Sequence, residues 1–107
     1  MAQIIWTEPA LLDLDEIAEY IALDKYTAAQ TLVKDVFSSV EHLKLFPKSG
    51  RKPPELPSNT RYRELIVGPC RVFYRLEKTK IYILYVMRSE KLLRQYLLTE
   101  RNVSATD

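Results

Sequence analysis

Residues Arg61 to Arg88 read RYRELIVGPCRVFYRLEKTKIYILYVMR. The stretch divides into three runs rich in β-branched and aromatic residues: Arg61 to Val67, Cys70 to Glu77 and Lys80 to Arg88. Gly68-Pro69 separates the first two runs, and Lys78-Thr79 separates the last two. Such short polar or Gly/Pro breaks favour tight turns, so the runs predict an antiparallel meander. In the last run Ile81, Ile83 and Tyr85 alternate with Tyr82, Leu84 and Val86, so both sides are apolar. A strand with two apolar faces is expected in the middle of a sheet. Tyr74 and Trp6 are expected in the core.

Upstream, Gln3 to Trp6 forms a short strand-like run. Thr7 is placed to cap a helix, with Glu8 in the first turn and Pro9 where a missing N–H is harmless. Leu14, Ile17, Ala18 and Ile21 recur at helical spacing and predict a helix from about Glu8 to about Leu23. Thr27 to Gln30 has capping-box spacing for a second helix. Its stripe is Leu32, Val33, Val36, Phe37, Val40 and Leu43, and Pro47 and Gly50 end it. Two helices separated by a few residues lie antiparallel. Pro47, Pro53, Pro54 and Pro57 mark residues 47–60 as a loop. Ser89 to Leu98 predicts a last helix, and residues 99–107 a frayed tail. The order β-α-α-β-β-β-(α) predicts an α+β fold in one domain, residues 1–98. A helical hairpin packs on one face of a small, mainly antiparallel sheet.

The 107 residues are 47% apolar and 28% charged. That is a globular composition, neither disordered nor disulfide-rich. No apolar run approaches the ~20 residues that span a bilayer, so no membrane role is expected. Met1 to Trp6 lacks a basic segment, and an acid and a proline follow, so a signal peptide is not expected. The expected compartment is the cytoplasm. The sequence holds one cysteine, Cys70, and one histidine, His42. They support neither an internal disulfide, nor a conventional metal centre, nor a histidine triad. No metal and no cofactor is expected. Cys70 reads as a small buried residue, and His42 as a surface residue of the second helix.

The overall charge of +2 conceals a segregation. Residues 1–46 carry a net −5 and residues 47–94 a net +8. Arginines interleave with aromatics: Arg61, Tyr62 and Arg63, then Arg71, Phe73, Tyr74 and Arg75, then Tyr82, Tyr85 and Arg88. Strand alternation puts Arg61 and Arg63 on one side of their strand, and Arg71 and Arg75 on one side of theirs. With helices on one face, a basic cluster is expected on or beside the open face. Its target-contacting members are expected to be Arg61, Arg63, Arg71, Arg75, Arg88 and Arg94. Guanidinium groups fork onto phosphates or carboxylates. With aromatics they suit single-stranded nucleic acid, and equally an acidic protein partner. Phosphodiester cleavage would also need an acid and a base, and arginine is a poor base. Tyr96, near Arg88, Lys91 and Arg94, is one candidate, although it lies on the apolar stripe of its helix. Leu11, Leu12, Ala22 and Leu23 lie off or at the margin of the first stripe and leave room for an amphipathic partner helix.

Five segments then appear in a telling order. They are IWTEPA (Ile5 to Ala10), DLDEIAEYIA (Asp13 to Ala22), FPKSGR (Phe46 to Arg51), YREL (Tyr62 to Leu65) and GPCRVFYR (Gly68 to Arg75). In this order the chain resembles the RelE/ParE superfamily of type II toxin–antitoxin toxins, and most of all its ParE branch. The resemblance runs from about Ile4 to Tyr96. It implies a toxin held inactive in a hetero-oligomer with a cognate, ParD-like antitoxin. ParE-like members poison DNA gyrase and block replication. RelE-like members are ribosome-dependent endoribonucleases that cut messenger RNA. In the RelE-like cleavage set, Arg63 and Arg71 match basic positions, and Arg88 and Tyr96 approximate the late arginine and tyrosine. Leu65 stands where a lysine is expected. Val86-Met87-Arg88 replaces the valine-x-histidine-x-arginine pattern of ParE relatives and keeps Arg88 as the cation. The pattern favours a gyrase inhibitor without chemistry of its own over an endoribonuclease; a non-toxic partner-binding module is the third reading. The antitoxin is expected on the hairpin, at Leu11, Leu12, Ile17, Leu23, Val33 and Phe37, and along a sheet edge. Operator DNA is then reached only through the antitoxin.

Overall fold

The computed structural model describes residues 1–106. In chain order the elements are β1 (Gln3–Trp6), α1 (Glu8–Ala22), α2 (Tyr26–His42), β2 (Tyr62–Val67), β3 (Cys70–Glu77), β4 (Lys80–Arg88) and α3 (Gln95–Thr106). The meander forms as the turn residues predict, and the sheet order is β1-β4-β3-β2. β4 lies inside the sheet, as its two apolar sides require. β1 runs parallel to β4. A parallel neighbour needs a long connection, and here the chain passes through the α1–α2 hairpin, β2 and β3 before β4 pairs with β1. No described helix is long and apolar enough to cross a membrane.

Both helix entries differ from their sequence signals. Thr7 is the N-cap residue of α1, yet its hydroxyl donates to the Ile83 carbonyl at 2.7 Å and not to the helix. It thereby ties the start of α1 to β4. At α2, Lys25 and not Thr27 is the cap residue, and no side chain caps the helix. The turn is too tight for the capping box. The Ile21 carbonyl accepts from both Asp24 and Lys25, so one helix runs almost directly into the next.

The hairpin covers one sheet face. Leu14, Leu32, Val36, Val40 and Leu43 meet Val72, Tyr74, Ile81, Ile83 and Val86 in a buried core. Each large aliphatic side chain buried there contributes about 1.5–3 kcal/mol. The alternation along β4 is broken by a bulge. Phe73 pairs with Tyr85 and Tyr74 with Ile83, so Leu84 is the extra residue. Beyond it the sides exchange: Val86 joins the hairpin core, and Tyr85 joins Tyr82 and Leu84 on the second face.

The second face is not open, contrary to expectation. Tyr62, Phe73, Leu84 and Met87 are covered by Leu56 from the loop and by Leu93 and Leu98 from the C-terminal segment. The last helix is also displaced. It begins at Gln95 rather than Ser89, and it continues to Thr106 through residues expected to fray. Its anchors lie far away in sequence. Arg101 pairs with Asp13 of α1, 3.2 Å from Nη2 to Oδ1, and donates to the Leu84 carbonyl at 3.1 Å. Asp13 also accepts the Val86 N–H at 3.1 Å. The backbone groups on either side of the bulge are thus satisfied by α1 and α3.

The loop is pinned to β2 and β3. The Tyr74 hydroxyl accepts the Gly50 N–H at 3.0 Å and donates to the Pro47 carbonyl at 2.8 Å. A Cβ on Gly50 would lie 2.6 Å from that hydroxyl and 2.8 Å from the Glu64 carbonyl, so only glycine allows this approach. Arg51 and Glu64 exchange backbone hydrogen bonds of 3.0 and 2.8 Å at the outer edge of β2. Tyr74→Phe leaves a buried N–H and a carbonyl without their partner. It is expected to lower stability by about 2 kcal/mol, read as a shift of the urea midpoint. An unchanged midpoint would show that the loop is held elsewhere.

Candidate binding surfaces

The arginines are sorted by register, not gathered. Arg63 lies opposite Tyr74, whereas Arg71 lies opposite Ile66 and Arg75 opposite Tyr62. Residues opposite each other share a face. Arg63 therefore belongs to the hairpin side, and Arg71 and Arg75 to the second face. The expected single basic cluster is split between the two.

Arg71 and Arg75 are also buried, at 5% and 1% exposure. Arg71 forks onto Glu55 through two bonds of 2.6 Å. It reaches Glu64 at 2.6 Å from Nε and 3.1 Å from Nη2. Arg51 shares the Glu64 carboxylate at 3.0 Å. Arg75 pairs with Glu77 at 2.9 Å, donates to the Asn102 side chain and lies 4.6 Å from the centre of the Tyr82 ring. Neither residue is the solvated cation the sequence suggested. An arginine in a sheet covered on both faces must be paired, because an unpaired buried charge is too costly.

The other candidates are dispersed. Arg63 Nη1 donates to the Gly50 carbonyl at 2.8 Å and so staples the loop. Arg88 lies 5.0 Å from the Tyr20 ring on α1 and pairs with Glu90 at 2.7 Å. Arg61 is exposed at the start of β2, and Arg94 is exposed just before α3. Arg61 and Arg88 stand at opposite ends of the strands. Tyr96 falls in α3, but its side chain lies outside the described residues. Cys70 is fully buried, which pushes its thiol pKa up and keeps it unreactive. His42 is exposed, beside the Phe46 ring.

The outer side of the hairpin carries an apolar groove of about 440 Å³. Ala18 and Ala22 of α1 face Tyr26, Ala29 and Val33 of α2 across it, with Glu19 and Lys34 also in its lining. Of the residues expected to meet a partner, Val33 lines this groove. Ile17 instead packs against the core. Leu12 and Leu23 are exposed in neighbouring clefts, and Leu11 is exposed as well. Phe37 packs against Trp6 of β1, with tilted rings whose centres are 4.9 Å apart. Sequence reasoning named Ala22 as marginal, assigned Ala18 to the core stripe of α1 and gave Ala29 no part in a partner surface. The available signal was the pair of alanines one turn apart on α1, whose small side chains leave space that large ones would fill.

The carboxylates of the basic segment proved decisive. The Arg71 hydrogen bonds hold the Glu55 carboxyl down at about 2, against an ordinary value of 4.5. Burial opposes this, and the Leu93 N–H, donating at 3.2 Å, assists it. Arg71 is correspondingly held more firmly protonated by Glu55 and Glu64. Because the folded pKa lies below the unfolded one, the stabilisation is fully present above pH 4.5. It is lost as the pH falls toward 2. Urea midpoints are expected to fall across that window. Glu55→Gln should flatten the fall and lower stability at pH 7 by about 1–3 kcal/mol. An identical pH profile in both proteins would contradict the assignment.

The comparisons with known proteins agree with this geometry. A family model described as "ParE toxin of type II toxin-antitoxin system, parDE" matches residues 4–93. Toxin RelE2 of Caulobacter vibrioides is 35% identical over 69 residues, covering 64% of this chain and 73% of its own. Y4kP of Sinorhizobium fredii, named as a candidate toxin, is 36% identical over 97 residues, 89% of this chain and 96% of its own. A chain of the solved chromosomal ParDE system of P. aeruginosa superposes with a TM-score of 0.68 at 29% identity. The match covers 84% of this chain and 98% of that one. The register, the helical hairpin and these matches lead to one conclusion: the chain belongs to the ParE toxin family of type II toxin–antitoxin systems.

Proposed function

We propose that this toxin works by binding rather than by chemistry, inhibiting DNA gyrase and so blocking replication, and that a ParD-like antitoxin holds it inactive. The observation that carries this reading is the fate of Arg71. It gives four hydrogen bonds to Glu55 and Glu64. A cation so committed is poorly placed to stabilise a phosphorane, which needs donors aimed at developing charge. Leu65 supplies no ionisable group at the next matched position. The matched ribonucleolytic positions therefore lack a free cation at Arg71 and an ionisable group at Leu65, and Arg63 and Arg71 stand on opposite faces of the sheet.

The antitoxin reading draws on the P. aeruginosa relative, which comes from a ParDE assembly. It also draws on the apolar hairpin groove, bounded by a segment with a net charge of −5. An antitoxin segment that folds as it docks would lay an apolar face between α1 and α2.

Purified protein is expected to inhibit gyrase supercoiling, with inhibition reversed by the cognate antitoxin. Translated messages should remain uncut. Mapped cuts at the ribosomal A site with unaffected supercoiling would overturn the reading in favour of an endoribonuclease. Ala22→Glu places a carboxylate in the groove and is expected to weaken antitoxin binding at least about tenfold by calorimetry. Unchanged affinity would move the antitoxin off the hairpin.

A further inference from the structure

The buried arginine network changes what the surface of the loop presents. Glu55 and Glu64 are the only acids between residues 47 and 64, and Arg71 holds both of them, with Arg51 sharing Glu64. Lys48, Arg51, Lys52 and Arg61 remain exposed along this stretch. Arg63 joins them, bonded to the carbonyls of Lys48 and Gly50. Glu64 is buried and the surface-lying Glu55 is neutralised by its fork with Arg71, so the rim is left positive.

The rim is also held in shape. The paired backbone bonds of Arg51 and Glu64 and the Tyr74 contacts to Pro47 and Gly50 fix its first half. Lys52 Nζ bonds the Ser58 carbonyl at 2.7 Å and closes the second. A preorganised array of donors loses little freedom on binding.

The chemistry of the rim selects its ligand. Between residues 47 and 61 no large apolar side chain is exposed. The exposed Leu45 and Phe46 just ahead of it follow the end of α2, with Phe46 against His42, so the rim itself lacks the aromatic and aliphatic anchors on which protein interfaces depend. It also lacks the exposed aromatic rings on which single-stranded bases stack. What remains is lysine, arginine, serine and asparagine, the groups that contact phosphate backbones.

We infer that the rim formed by Lys48, Arg51, Lys52 and Arg61 binds the phosphate backbone of duplex DNA, namely the segment held by the target gyrase. The toxin then touches DNA directly, on a surface separate from the hairpin groove. The source of the DNA rests on the gyrase reading above; binding to duplex does not.

The first arm of the test uses the purified toxin and a fluorescent duplex of mixed sequence, titrated at several salt concentrations. Lys48→Ala/Arg61→Ala is expected to weaken binding about tenfold at low salt and to make the salt slope shallower by nearly two. The charge-matched Lys25→Ala/Lys44→Ala variant, altered in the acidic half, should change affinity less than about twofold. Equal losses in the two variants would overturn the rim as the site. So would poly-glutamate or single-stranded RNA competing as well as duplex DNA. The second arm is gyrase supercoiling. Lys48→Ala/Arg61→Ala should require about tenfold more protein for the same inhibition. Equal potency of wild type and variant would overturn the gyrase-held segment as the source. If the wild type leaves gyrase untouched, the gyrase reading and with it that source fall, while the first arm still decides whether the rim binds duplex.

Discussion

One guanidinium ties the β2–β3 pair to the proline-rich loop and, through it, to the segment ahead of α3. Arg71 of β3 lies between Glu64 of β2 and Glu55 of the proline-rich loop, and Glu55 in turn accepts the Leu93 N–H ahead of α3. Taking a charge out of water costs several kcal/mol, and it is offset here by two carboxylates in near-ideal fork geometry. Removing either carboxylate would leave Arg71 with only half of its hydrogen bonds. The loop and the C-terminal segment cover the second sheet face, and this network anchors both. Beneath that cover lie Phe73, Leu84 and Met87.

This arrangement divides the surface into two regions of opposite character. The hairpin side is acidic and carries an apolar groove between small residues. The loop side is basic and carries no apolar anchor. The sheet between them acts as a strut, sealed on both faces. The proposed binding surfaces are accordingly a groove and a rim, and not the arginine-lined face that strand alternation first suggests.

The fold was largely legible because its signals are local. The turn at Gly68-Pro69, the two-sided run at Ile81 to Val86 and the stripe from Leu32 to Leu43 each report on neighbouring residues. The site was less legible because its determinants are relations between strands. Alternation correctly put Arg71 and Arg75 on one side of β3. It could not place Arg63 on the other face, because that depends on the pairing of β2 with β3. The bulge at Leu84 exchanged the sides of Tyr85 and Val86 for the same reason. The helical continuation to Thr106 depends on Arg101 meeting Asp13, a pair separated by 88 positions. Glu55 looked like an exception in a basic segment, although it is a counter-ion of that segment's most buried ion pair with the loop.

The most direct test of Arg71 as a buried counter-ion is a double-mutant cycle on stability, combining Arg71→Met with Glu55→Gln. A coupling of about 1 kcal/mol or more is expected, since each single change removes the other's forked partner, leaving Arg71 with Glu64 alone and Glu55 with the Leu93 N–H. Additivity within about 0.5 kcal/mol would show the two groups to be independent, and would return Arg71 to the pool of cations available to a target.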